Sequence, residues 1–224
     1  DKVPARKADL DQLIRWQVHK AAPFRIEEAQ VAYTAGARTP DGKQEYVVVL
    51  IRRDVVEQYE QVCTAAGAHA GCVDLASFNL INAALATSTT EDEERSDWLL
   101  VHVAPEYSTM AIVRGPHLIF CRNRLVEGGR NLVDLVHQTA MYYEDRLGGT
   151  GFSRAVLAGH SAIGSTEFGH DGVRRTLEER LQTAVEPLGD RLASRFARST
   201  GIDVELFDVL AAPIGILLRD RHAH

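Results

Sequence analysis

The chain has 224 residues, 45% of them hydrophobic and 25% charged, with a formal net charge of −6. That length and apolar content support one large domain or two small ones with real cores, and the ordinary charged fraction excludes wholesale disorder. The acidic balance argues against nucleic acid as the main partner, because neutralising phosphates needs a basic surface.

The opening Asp1–Lys7 is charged and no apolar h-region follows, so no signal peptide is expected. The chain starts without methionine and reads as a fragment whose natural N-terminus lies upstream. Asp9 can cap a first helix running to about Lys20, and Pro23 stops it. Ala29–Gly36 and Gln44–Arg52 are strand-like, joined by the turn residues Thr39-Pro40-Asp41-Gly42, which predicts a hairpin. Asp54 then opens a helix whose Val55, Val56, Tyr59, Val62, Cys63 and Ala66 recur at helical period, and Gly67 ends it. A short strand over Gly71–Leu75 and a helix over Ala76–Ala86 are expected next. Thr87–Asp97 has no apolar residue and reads as an acidic loop or linker.

Beyond it the pattern restarts as sheet. Trp98–Val103, Ser108–Arg114 and His117–Asn123 predict three strands, with Gly115-Pro116 as a tight turn. A long helix is expected from about Arg130 to Leu147, followed by the glycine-rich turn Gly148–Gly151 and a buried strand Arg154–Ala158. Helices near Val173–Val185 and Leu188–Ser199, a strand over Ile202–Phe207 and an apolar segment Val209–Leu218 complete the chain. No apolar run approaches the ~20 residues needed to cross a bilayer. Cys63, Cys72 and Cys121 have no metal-ligand spacing and read as buried thiols.

Several segments could carry chemistry. Gly159-His160-Ser161 follows a strand and is similar to a serine-hydrolase elbow, with Asp203 or Asp208 and His222 available as partners. The elbow's second glycine is replaced by Ile163, and the preceding antiparallel meander is not a hydrolase rhythm. Gly148–Gly151 lacks the Lys-Ser/Thr of a P-loop and follows a helix, so it reads as a helix C-cap. His102, His117 and His137 do not converge on a metal spacing. The turn Val103–Thr109 joins two antiparallel strands and could present backbone N–H groups to an anion.

The ordered segments together resemble the PilM family, the actin-like cytoplasmic proteins of type IV pilus assembly. They are more distantly similar to the type II secretion L protein and to FtsA. The resemblance is carried by Ile14–Val18 with Ala22-Pro23-Phe24, Val48–Arg53 with Val55–Tyr59, and Ala66-Gly67 with Val73–Phe78. It continues through Trp98–Arg114, Arg124–Gly129 with Asn131-Leu132, Ala155–Gly164 and Ala212–Arg219.

The resemblance implies an α/β, actin-like (ribonuclease H-like) fold fragment. Residues 1–86 would be the C-terminal part of the first actin-like half, with a small inserted subdomain at about 21–68. Residues 87–97 would be the acidic linker or loop, and 98–224 the second half. Ser108, Thr109, Gly128, Gly129 and Gly159 fall on the family's nucleotide-contacting positions. The family's acid position is His102 here, a glycine position is Ala104, and Pro105 stands beside it. A mostly neutral histidine cannot replace a carboxylate near Mg²⁺, and proline removes a donor. The expectation is a cytoplasmic scaffold, peripheral to the inner membrane and not inserted in it, with a degenerate nucleotide site. It would bind the cytoplasmic tail of a PilN-like membrane protein, without turnover and with no cofactor required. ATP with Mg²⁺ could serve as a structural ligand, and homo-oligomers are compatible with the fold. The alternatives are an active actin-like ATPase when full-length, and a serine hydrolase using Ser161.

Overall fold

The computed structural model describes residues 3–39, 41–88, 90–125, 132–159, 169–200 and 203–219. Contacts divide the chain into two units, Asp1–Val73 and Asp74–His224.

In the first unit, helix α1 (Lys7–Val18) precedes a hairpin of β1 (Ala29–Arg38) and β2 (Gln44–Arg52), and α2 (Arg53–Ala65) follows. The hairpin is antiparallel, with Tyr33 opposite Val48. Gly42 closes its turn at φ +81°, and its N–H donates to the Thr39 carbonyl. The Tyr33 hydroxyl donates to Asp11 at 2.5 Å, tying β1 to α1. On α2 only Val56 and Cys63 are half-buried, whereas Val55, Tyr59 and Val62 are exposed. The expected apolar face is therefore only partly covered, because a two-stranded ribbon offers a narrow surface for a helix. Gly67, at φ +74°, ends α2, and the Ala68 N–H reaches back to the Cys63 carbonyl.

The second unit is built on a five-stranded sheet in the order β5-β4-β3-β6-β7. Its strands are β3 (Asp97–Val103), β4 (Tyr107–Arg114), β5 (His117–Leu125), β6 (Arg154–Ala158) and β7 (Val185–Pro187). β3, β4 and β5 form an antiparallel meander; β6 runs parallel to β3, and β7 parallel to β6. The helices of this unit are α3 (Ala76–Ala86), α4 (Glu91–Arg95), α5 (Leu132–Leu147), α6 (Gly169–Leu181), α7 (Leu188–Thr200), α8 (Val204–Val209) and α9 (Ala211–Leu218).

β3 alternates between two cores. Leu99, Val101 and Val103 face α5 and α6 with Leu135, Val136 and Leu177. Trp98 and Leu100 face the other way, with Leu80, Leu188, Leu192, Phe207 and Ala211. A central strand covered on both faces is why Trp98–Val103 reads as an apolar run interrupted only by His102.

Several expectations change. Gly71–Leu75 forms no strand. Ile202–Phe207 was expected as a strand, but Val204–Val209 is helical, because burial of Phe207 in the second core outweighs local β propensity. The acidic stretch is not all loop: Glu91–Arg95 is a helix whose first turn is capped by Thr90, which accepts from the Glu93 N–H. Cys72 and Cys121 are exposed and Cys63 half-buried, so the thiols are not core residues. Gly148–Gly151 caps α5 as expected. Gly148 has φ +67°, the Gly149 N–H donates to the Tyr143 carbonyl, and a Cβ at Gly149 would strike the Tyr143 ring.

Candidate functional site

The parallel strands β3 and β6 end side by side, with His102 opposite Ala158. The carboxyl ends of neighbouring parallel strands are where α/β proteins place ligands. On the other side β3 turns back into β4, pairing His102 with Thr109 and Val103 with Ser108.

Successive strand residues face opposite sides, so Thr109 shares the α3 face with His102 while Ser108 faces α5. Both hydroxyls are buried: Ser108 is 0% exposed and Thr109 1%. Thr109 Oγ1 accepts from Ser77 Oγ at 3.2 Å and from Asn123 Nδ2 at 2.9 Å. Ser108 Oγ has no hydrogen-bond partner among the described residues.

His102 is 9% exposed. Its Nδ1 lies 3.4 Å from Ser77 Oγ, and its ring meets the Tyr107 ring edge-on at 5.6 Å. Burial pushes its pKa below the ordinary histidine value, with Asp208 opposing the shift, so the imidazole is neutral at pH 7. The turn beyond it has few free donors. The Ala104 N–H donates to the Tyr107 carbonyl at 2.8 Å, and Pro105 has no N–H.

Gly159 follows β6 at φ +100°. A Cβ there would lie 1.8 Å from the Val103 carbonyl oxygen. Its N–H donates to Asp208 Oδ1 at 3.3 Å. Asp208, on α8, also lines a cleft of about 220 Å³ with Asp171, Asp190, Glu205 and Arg174. Four carboxylates face one guanidinium there, a field that repels polyphosphate.

Of the sequence-nominated residues, Ser108, Thr109 and Gly159 meet at this end of the sheet, the two hydroxyls on opposite faces. Gly128, Gly129, Ser161 and His222 lie outside the described residues. Asp203 is the N-cap residue of α8, with no side-chain cap bond. Ser77 and Asn123 join the cluster without any sequence signal. Among the described residues no metal-holding cluster occurs, and no helix is long and apolar enough to cross a membrane.

A second polar cluster sits at the amino end of β6. Arg154 is 3% exposed and lies over the Trp98 ring at 5.4 Å. Glu93 of α4 pairs with Arg154 and with Arg191, each at 3.2 Å. Arg191 also pairs with Glu186 and donates to Thr87.

The model of the type IV pilus assembly protein PilM family matches residues 3–146, more than half of the chain. The chain belongs to the PilM family. Among solved structures, this PilM-family chain is similar to one described as the PilM-PilN type IV pilus biogenesis complex. The TM-score is 0.75 at 16% identity, covering 97% of this chain and 74% of that one. The expected α/β, PilM-like fold is thus the fold found. A Bacteroides thetaiotaomicron protein described as having an actin-like ATPase fold and unknown function is a weaker likeness. Its TM-score is 0.47 at 10% identity, over 81% of this chain and 61% of that one. No curated protein matches the chain significantly.

Proposed function

We propose that this PilM-family chain is an assembly scaffold that binds the cytoplasmic tail of a PilN-like inner-membrane protein. It would work on the cytoplasmic side of that membrane, by binding without turnover. The observation that carries this reading is the fold match, over 97% of the chain, to a PilM seen in complex with PilN. In this reading the nucleotide site is a relic. Its residues do not fit a Mg²⁺-phosphate group: a buried neutral His102 stands in the acid's place, and Ala104 and Pro105 offer the turn no free donor. The adjoining cleft is acidic. Ser108, Thr109 and Gly159 then serve the junction of β3, β4 and β6, and no chemical step passes through them.

Isothermal calorimetry of the full-length protein with Mg-ATP tests the relic. No binding in the micromolar range is expected. Micromolar binding would instead favour the active-ATPase alternative, in which upstream residues complete the site.

A further inference from the structure

β5 is the outer strand of its sheet, and among the described residues no strand pairs with its free edge. β7, at the opposite edge, has three residues and ends in Pro187, whereas β5 has nine and no proline. What guards β5 is charge of one sign. It carries Arg122 and Arg124 and no aspartate or glutamate, in a chain whose net charge is −6. The neighbouring β4 brings no acid either, and its Arg114 is already paired with Asp97. Among the described residues the Arg122 guanidinium meets the Phe120 ring, 5.4 Å from its centroid, and Arg124 donates to the Asn123 carbonyl at 3.3 Å. Both guanidinium groups therefore keep donors to spare. They share one face of the strand, about 7 Å apart along it, and alternate with the exposed, uncharged Cys121, Asn123 and Leu125.

We propose that the β5 edge captures an extended acidic segment of another protein, which adds to the sheet as a strand with carboxylates at alternate positions. Arginine on the edge turns away a second copy of β5 and any other basic strand. That guard works by sign. It leaves the unpaired N–H and C=O groups of β5 open to a strand of opposite charge, so repulsion of the wrong partner and attraction of the right one come from the same residues. Alternate side chains of an added strand lie on one face at the spacing of Arg122 and Arg124. A Glu-x-Glu segment thus sets one carboxylate against each guanidinium, whichever way the strand runs. The residue between the acids faces Asn123, and those flanking them face Cys121 and Leu125, so uncharged β-branched side chains fit there. Main-chain hydrogen bonds hold such a strand and the side chains select it.

The test is fluorescence anisotropy of a labelled peptide, Thr-Val-Glu-Val-Glu-Val-Thr with both ends blocked, titrated with the full-length protein. Saturable binding that weakens as salt rises is expected, with none for the peptide carrying lysine in place of glutamate. The double variant Arg122→Glu with Arg124→Glu is expected to bind the acidic peptide about tenfold more weakly and to take up the lysine peptide instead. Should that variant not fold, Arg122→Gln with Arg124→Gln is expected to weaken binding in the same direction. Two N-methylated peptides, one for each alternate set of amides, separate strand addition from ionic sticking: one set is expected to abolish binding and the other to leave it unchanged. Absence of binding overturns the proposal. So does binding that survives the charge reversal, which places the peptide elsewhere, or binding that tolerates both methylation patterns.

Discussion

A Cβ atom on Gly159 would lie 1.8 Å from the Val103 carbonyl oxygen, so the end of β6 presses directly against the end of β3. Gly159 also holds φ +100°. The glycine is therefore required by the scaffold itself, whatever a nucleotide would ask of it. Gly159→Ala is expected to cost on the order of 3 kcal/mol, from backbone strain and forced separation together. Gly67→Ala, at φ +74° with open space around its Cβ, is expected to cost only about 1 kcal/mol. Urea unfolding of the two variants reads the difference.

Glu93 is the shared counter-ion of Arg154 and Arg191. Burial lowers the pKa of Arg154, and Arg191 lowers it further, while Glu93 and Glu186 oppose the shift. Glu93→Gln removes the ion-pair partner of the buried Arg154, while Arg191 keeps Glu186, and is expected to cost about 3 kcal/mol. The double change Glu93→Leu with Arg154→Met is expected to recover part of the loss. A double-mutant cycle by thermal or urea unfolding would reveal the coupling.

Burial keeps His102 neutral in the folded state, with a pKa below that of the unfolded chain. Below about pH 6.5 the unfolded chain binds a proton that the native state refuses. Stability from this residue is thus fully present above the unfolded pKa and declines as pH falls beneath it. His102→Gln, close in size and uncharged throughout, is expected to flatten that acid-side decline. The measurement is midpoint against pH over the range from 5 to 8 for both proteins.

If the nucleotide site is a relic, restoring the acid alone is expected not to rebuild it. His102→Asp buries a carboxylate on the same side as Asp208, so a lower melting temperature is expected. No Mg-ATP binding is expected from this variant, because Pro105 and the engaged Ala104 N–H still deny donors to phosphate. Calorimetry and a melt on this variant check both statements.

Much of the fold was legible because it depends on local pattern. β2, α3 and β6 begin and end where composition and period placed them. The β3–β5 meander follows from three β-prone runs separated by tight turns. What escaped depends on distant partners. Glu93 and Arg191 are 98 residues apart, so nothing local marks Glu93 as more than one acid in a solvated run. Val204–Val209 carries strand-forming residues, and only the core that receives Phe207 makes it a helix. At the site, the departures His102, Ala104 and Pro105 were visible in sequence, but their surroundings were not. The hydrogen bonds from Ser77 and Asn123 to Thr109, and from Gly159 to Asp208, exist only once α3, β5 and α8 are assembled.

In the proposed scaffold role, binding of the membrane partner does not depend on nucleotide. Calorimetric titration of the cytoplasmic tail of a PilN-like inner-membrane protein, into the full-length protein with and without Mg-ATP, tests it most directly. The expected result is a saturable interaction of the same affinity in both conditions. No interaction with the tail, or one that appears only when Mg-ATP is present, would contradict it.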